Sequence, residues 1–351
     1  MQKMKALVKT KPEPGGVEFL DWDIPKVGTK EILIQVKAVG ICGTDLHIYD
    51  WADNIVREYK PQLPLVMGHE FAGVVVELGS QVENFEVGDR VTVMPVLYCG
   101  ECYFCKDGRQ NICDHRPLLG LGANGAFAQF ISVRSMNVFK LDDSVSFELG
   151  ALSELTCVGL HAIERARLTS GETVVVVGPG PLGLMMAVLT KHSGAARIFM
   201  TGLEADRERL EIAKQIGATP IHVEKEDPKK PILDYTGGLG ADVVFETAGS
   251  SSGVTQSLNL VRKGGRVCIL GQGHESTEIP TAMLSFREIE LVGTRAYTPK
   301  DWEKISSTLL NIEQDLTQMI THRFPLRRAE EGIKLMKSRE GLKVLLLPQE
   351  P

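Results

Sequence analysis

The chain has 351 residues, 43% of them hydrophobic, which is enough apolar material for two cores. Formal net charge is −6 and the Lys and Arg residues are scattered, so there is no basic stripe to recruit nucleic acid or anionic lipid. No run approaches the ~18 apolar residues of a membrane span, and the opening MQKMKALVKT lacks the apolar centre of a signal peptide. A cytoplasmic protein with neither a nucleic-acid nor a membrane partner is therefore expected. Seven cysteines, an odd count, argue against a disulfide framework in that compartment.

From residue 1 to about 150 the text consists of short alternating or apolar runs (MKALVK, EILIQVKAVG, FAGVVVELG, DRVTVMP, AFAQFISV) punctuated by Gly, Pro and Asp. Such punctuation predicts an irregular β-rich, barrel-like domain. The stretch FELGALSELTCVGLHAIERARL follows, with Leu149, Leu152, Leu160 and Ile163 at helical spacing. From Glu172 onward, apolar strands (TVVVV, RIFMTG, ADVVFE, RVCIL) alternate with amphipathic helices, the rhythm of a parallel sheet covered on both faces. Two helical segments, Asp301–Leu310 and Arg328–Lys337, and a last apolar strand, LKVLLLP, complete the chain. The expected fold class is α/β, with 151–294 forming a doubly wound coenzyme domain and 1–150 plus 295–351 forming the β-rich domain.

Within the doubly wound half, Gly178-Pro179-Gly180-Pro181-Leu182-Gly183 follows the strand TVVVV and opens a helix. That context fits a dinucleotide turn: Gly178 permits the tight bend, Gly180 the approach of a pyrophosphate, and Gly183 close strand–helix packing. Thr247 and Ala248 in ETAGS, and Leu270 and Gly271 in LGQG, end later strands where such sheets bind ligands. The acid that normally holds the adenosine ribose is replaced by Gly202. Glu204 or Asp206 are candidates to stand in for it, and Arg207 or Arg209 to meet a 2′-phosphate instead, so NAD and NADP both stay open.

In the β-rich half, Cys99, Cys102, Cys105 and Cys113 form a C-x2-C-x2-C-x7-C series. Four thiolates fill a tetrahedral zinc shell and leave no place for substrate, which marks a structural site in a lobe of about residues 95–116. An iron–sulfur run would end in proline, where Asp114 stands here. A second set comprises Cys42 in GICGTDLHIYDW and His69 in VMGHEFAG, with Glu70 and Glu154 as candidate acidic ligands. Adjacent strand side chains point to opposite faces, so His69 and Glu70 reach one metal only if Gly68 bends the backbone. Asp45 is positioned in sequence to orient an imidazole, and Thr44 and His47 to relay a proton.

These stretches together resemble the zinc-dependent medium-chain alcohol dehydrogenase family over nearly the whole chain. GHEFAGVVVELG is similar to its G-H-E-x2-G-x5-G signature, the four-cysteine lobe to its structural zinc, and GPGPLG to its coenzyme turn. The resemblance implies a chaperonin-10-like (GroES-like) β-rich catalytic domain joined to a Rossmann domain. It also implies two zinc ions per chain, the catalytic one on Cys42, His69, Glu70 and Glu154, and assembly as a homodimer or homotetramer. SELTCVGLHA resembles a segment of the polyol and threonine dehydrogenase branch, while CGTDLHIYDW and ITHRF look most like L-threonine 3-dehydrogenase.

The reaction follows from magnitudes. An alcohol pKa near ~16 against ~6.5 for histidine opposes direct proton transfer by roughly 13 kcal/mol. Zinc can bring a bound oxygen to about 7 and remove nearly all of that gap. Oxidation of a small-molecule secondary alcohol with hydride transfer to nicotinamide is the expected activity. A zinc-free NADPH enone reductase and a cofactor-sensing binding protein are the alternatives, and both would leave Cys42, His69 and the lobe idle.

Overall fold

The structure, a computed structural model, describes residues 2–273 and 276–350. It divides into two compact units: Met1–Cys157, Tyr297–Glu313 and Ile320–Pro351 form one, and Val158–Ala296 with Gln314–Met319 form the other.

In the first unit the strand Glu31–Gly40 is the organising element. Its EILIQVKAVG pattern is buried at Ile32, Leu33, Ile34, Val36 and Ala38–Gly40. It lies in a seven-stranded sheet between Lys343–Leu347 and Glu70–Leu78, and also pairs with Phe130–Arg134. Arg90–Val93 and Val138–Lys140 extend one side, and Ile320–Pro325 closes the other. Lys3–Lys9, Val17–Asp23 and Leu65–Val66 form a separate three-stranded sheet. The register that matters places Gly40 opposite both Glu70 and Leu345, which carries the start of one strand beside the start of another that is remote in sequence. A side chain at Gly40 would stand 2.5 Å from Glu70 Oε2, so only glycine leaves room for that carboxylate.

The second unit is a six-stranded parallel sheet in the spatial order Thr219–His222, Arg197–Gly202, Thr173–Val177, Ala241–Glu246, Val261–Ile269, Glu290–Gly293. Every residue of the central strand TVVVV is buried, as a sheet covered on both faces requires. Helix Pro181–His192 starts with proline at its first position and buries all of Gly183–Thr190. Helix Arg207–Ile216 ends at Gly217 in the left-handed region, φ +112.

Two helical expectations are refined. FELGALSELTCVGLHAIERARL is two helices, Phe147–Gly150 and Ser153–Ala166. The break falls where Gly150 packs so tightly that a Cβ would lie 2.7 Å from Leu141 and 2.8 Å from Ala72. Asp301–Leu310 likewise resolves into Pro299–Trp302 and a longer helix, Ile305–Thr317.

Candidate active site and coenzyme site

Cys42 directly precedes helix Gly43–Tyr49, so Thr44, Asp45 and His47 are helical rather than extended. Asp45 Oδ2 accepts the Cys42 N–H at 2.9 Å, which ties the thiol-bearing residue to the first helical turn. Thr44 Oγ1 lies 3.7 Å from Cys42 Sγ. Gly68 adopts φ +88, the bend that the neighbouring His69 and Glu70 need, and an added Cβ would strike Phe127 Cδ1 at 2.2 Å. One ligand atom each of Cys42, His69 and Glu70 lie within 4.8 Å of one another, a span that metal bonds of about 2.0–2.3 Å can bridge.

The electrostatics of this cluster are those of a buried site. His69 Nδ1 stands 3.4 Å from Asp45 Oδ1, and both side chains are almost fully buried. Burial alone would lower the imidazole pKa, yet Asp45 and Cys42 hold it well above its ordinary value. Burial, reinforced by the charge of Glu70, pushes the Cys42 thiol up, with His69 and Lys343 pulling the other way. Glu154 is raised to about 7, first by burial and then by Glu70. It stands outside the 4.8 Å set but close enough to feel its charge. Glu70 is 0% exposed; Lys343 Nζ donates to its Oε2, while its Oε1 has no partner among the described residues. An orphaned, buried carboxylate oxygen beside a thiol and an imidazole is a donor set that suits zinc.

The four-cysteine series closes into a second cluster, with all ligand atoms within 4.8 Å. Sulfur–sulfur distances are 3.9 Å for Cys99–Cys105, 3.8 Å for Cys102–Cys113 and 3.5 Å for Cys99–Cys113. Tetrahedral zinc with bonds of about 2.3 Å requires roughly 3.8 Å. Backbone N–H groups of Glu101 and Cys102 point at Cys99 Sγ, both at 3.4 Å. Similar bonds from Asp114 and Cys105 bring the Cys102 thiol down to about 6, whereas burial pushes Cys105 up to about 12. All seven cysteines are free thiols.

In the second unit, Gly178 takes φ +97, and a Cβ at Gly183 would lie 1.9 Å from Gly178 O. A Cβ at Gly180 meets nothing within 4 Å, so the turn opens outward there and leaves a cradle for a diphosphate at the start of helix Pro181–His192, whose first residues are Pro181 and Leu182. Thr247 Oγ1 donates to Val177 O at 2.8 Å and Gly178 O at 2.9 Å, binding this turn to the end of the next strand. Glu246, not singled out from sequence, accepts the N–H groups of Ala248 and Gly249 at 3.0 and 2.9 Å, and its backbone O accepts those of Leu270 and Gly271. The candidates around Gly202 are dispersed. Asp206 accepts the Leu203 N–H, Glu204 pairs with Lys225, and Arg207 and Arg209 lie on the helix beyond. Gly202 is closely packed: a Cβ would meet Pro179 Cγ at 2.9 Å, so an acid does not fit there without a shift.

Lys343 is the main site residue missed from sequence. It is 1% exposed, and Glu70 leads the charges that raise its pKa against burial. The only signal was a lysine at the head of the apolar run KVLLL.

Residues 28–143 match the alcohol dehydrogenase GroES-like domain, and residues 181–311 match the zinc-binding dehydrogenase domain. The chain belongs to the zinc-binding alcohol dehydrogenase family: it is an oxidoreductase acting on CH–OH donors, with zinc and NAD or NADP as cofactors and a small-molecule alcohol as substrate. Among its relatives, it is 37% identical to a sorbitol dehydrogenase of Bacillus subtilis over 99% of this chain and 98% of the relative. It is 36% identical to an L-threonine 3-dehydrogenase of Bacillus licheniformis, over 98% and 99%. The solved alcohol dehydrogenase of Thermotoga maritima superposes with TM-score 0.91 at 27% identity, covering 99% of this chain and all of that one. No helix among the described residues is long and apolar enough to cross a membrane.

Proposed function

We propose that this chain oxidises a secondary alcohol of a small polyol, cyclitol or sugar acid to the ketone. The observation that carries the reading is the clustering of Cys42 with the buried His69 and Glu70, with the orphaned Glu70 Oε1 and with Glu154 alongside. In this reading Cys42, His69, Glu70 and Glu154 hold the catalytic zinc, and Cys99, Cys102, Cys105 and Cys113 hold the structural one. Zinc, when bound, supplies Lewis acidity that lowers the alcohol pKa, and the nicotinamide coenzyme supplies the hydride acceptor. The protein's own part is to orient and to move the proton. Asp45 is placed beside His69 Nδ1, which favours the tautomer that leaves Nε2 as a ligand. Thr44, next to Cys42, accepts the alcohol proton in this scheme and His47 carries it outward. Lys343 neutralises Glu70 by donating to its Oε2.

Coenzyme reduction measured with zinc-loaded protein, across polyols, sugar acids, threonine and simple alcohols, tests the proposal. A secondary polyol or sugar acid should give the highest kcat/KM. Preference for ethanol or an aromatic primary alcohol contradicts it. Threonine as best substrate would move the assignment to L-threonine 3-dehydrogenase, a reading that the similarity to that enzyme supports.

Assembly as a homodimer or homotetramer is part of the proposal. Strand Glu290–Gly293 ends the six-stranded sheet with Leu291 38% exposed, and nearby Phe286 is 86% exposed, a surface that a second copy would cover. A monomeric mass by light scattering contradicts it. None of the seven cysteines is in a disulfide, which fits the reducing cytoplasm.

A further inference from the structure

Gly202 removes the acid that this kind of sheet offers to the adenosine ribose, and the structure shows what stands there instead. The end of strand Arg197–Gly202 abuts the glycine turn, since the Gly178 N–H donates to Thr201 O at 3.0 Å and Gly202 faces Pro179. Gly202 pairs with His222 on the neighbouring strand, and the Val223 N–H donates to Gly202 O at 3.1 Å. That register carries Glu224 alongside the turn that follows Gly202. Its Oε2 accepts the Glu204 N–H at 2.6 Å, and Asp206 Oδ2 accepts the Leu203 N–H at 3.1 Å.

The Leu203 and Glu204 N–H groups are thus occupied by the chain's own carboxylates. Glu204 turns its side chain away to Lys225, with His222 Nδ1 3.8 Å off, and Glu226 accepts the His222 N–H. Four carboxylates (Glu204, Asp206, Glu224, Glu226) outnumber two fixed cations (Arg207, Lys225), while Glu208 and Arg209 offset one another on the following helix. A 2′-phosphate brings nearly two negative charges at neutral pH and needs free N–H or guanidinium donors. A ribose 2′-hydroxyl needs only an acceptor, which a carboxylate supplies.

Building on the coenzyme site proposed above, we infer that Glu224 takes the place of the missing acid and makes the enzyme selective for NAD over NADP. Glu224→Gln is the discriminating variant, because the amide oxygen still accepts the Glu204 N–H while the charge is gone. Calorimetric titration of the zinc-loaded protein with ADP-ribose and with 2′-phospho-ADP-ribose reads the corner independently of turnover. Wild type should bind ADP-ribose at least tenfold more tightly, and Glu224→Gln should shrink that ratio at least tenfold at unchanged melting temperature. Preference for the 2′-phospho form, or a ratio that Glu224→Gln leaves unaltered, overturns the inference. Binding of neither ligand overturns the coenzyme site itself, and the inference with it.

Discussion

Lys343→Met isolates the electrostatics of the candidate catalytic site. The substitution keeps an unbranched chain of similar length but deletes the ammonium that bonds Glu70 Oε2 in a region where both side chains are at most 2% exposed. Glu70 Oε1 already lacks a partner, so the variant strands a whole buried carboxylate. Breaking a buried pair from one side costs about 3–5 kcal/mol. For a unit of roughly 200 residues, at ~2–4 °C per kcal/mol, the melting temperature should fall by on the order of 6–20 °C. If Glu70 faces a metal, zinc offsets much of this loss by supplying the missing positive charge, so the deficit should be large in chelator-stripped protein and at least halved after zinc is restored. Scanning calorimetry of wild type and variant under both conditions makes the comparison, and any change at the four-cysteine lobe cancels between them. Lys343→Met/Glu70→Gln should recover part of the stability, because the stranded charge is then gone. Equal deficits with and without zinc would show that Glu70 does not face the metal, and a deficit under about 1 kcal/mol would refute the electrostatic argument altogether.

Gly68→Ala should destabilise the first unit by about 2–5 kcal/mol, the sum of a left-handed alanine and of overpacking against Phe127. Catalytic zinc should be lost with it, and a variant that melts normally with full zinc content would contradict the bend argument. Zinc-stripped protein should also lose stability as pH rises from about 4.5 to about 7. Glu154 has a folded-state pKa raised to about 7, so the native state holds a proton that the unfolded chain releases near 4.5, and the contribution present below that pH fades through the window. Melting temperatures across that range should fall for wild type and stay flatter for Glu154→Gln; identical profiles would remove Glu154 from the cluster.

The two-part fold was readable because its signals are local. TVVVV has no polar face, so it had to be a strand covered on both sides, and the glycine turn that follows it has a single sensible context. The lobe was readable for the same reason, since four cysteines close together in sequence are close in space. Gly68 was legible as a bend because His69 and Glu70, adjacent in sequence, could reach one metal together only if the backbone turned there, and Gly68 has φ +88. Lys343 and Glu224 were not legible. Lys343 meets Glu70 across 273 residues through a register centred on Gly40, and Glu224 reaches the Gly202 corner through a parallel pairing that no local pattern encodes. Both are charged residues near apolar strands, which read from sequence as ordinary solvent-facing positions. Gly202 itself looked like a place for an acid, but Pro179 and Leu210 pack so closely around it that a side chain there would force a shift.

Zinc content measured beside turnover separates the two proposed metal roles, chemistry at Cys42, His69 and Glu70 and stability at the four-cysteine lobe. Wild type should carry two zinc ions per chain. Cys42→Ser should carry one, melt within a few degrees of wild type and show no turnover. Cys102→Ser should also carry one but melt much lower, because structural zinc contributes directly to folding. If Cys42→Ser keeps two zinc ions and remains active, Cys42, His69 and Glu70 do not form the catalytic centre.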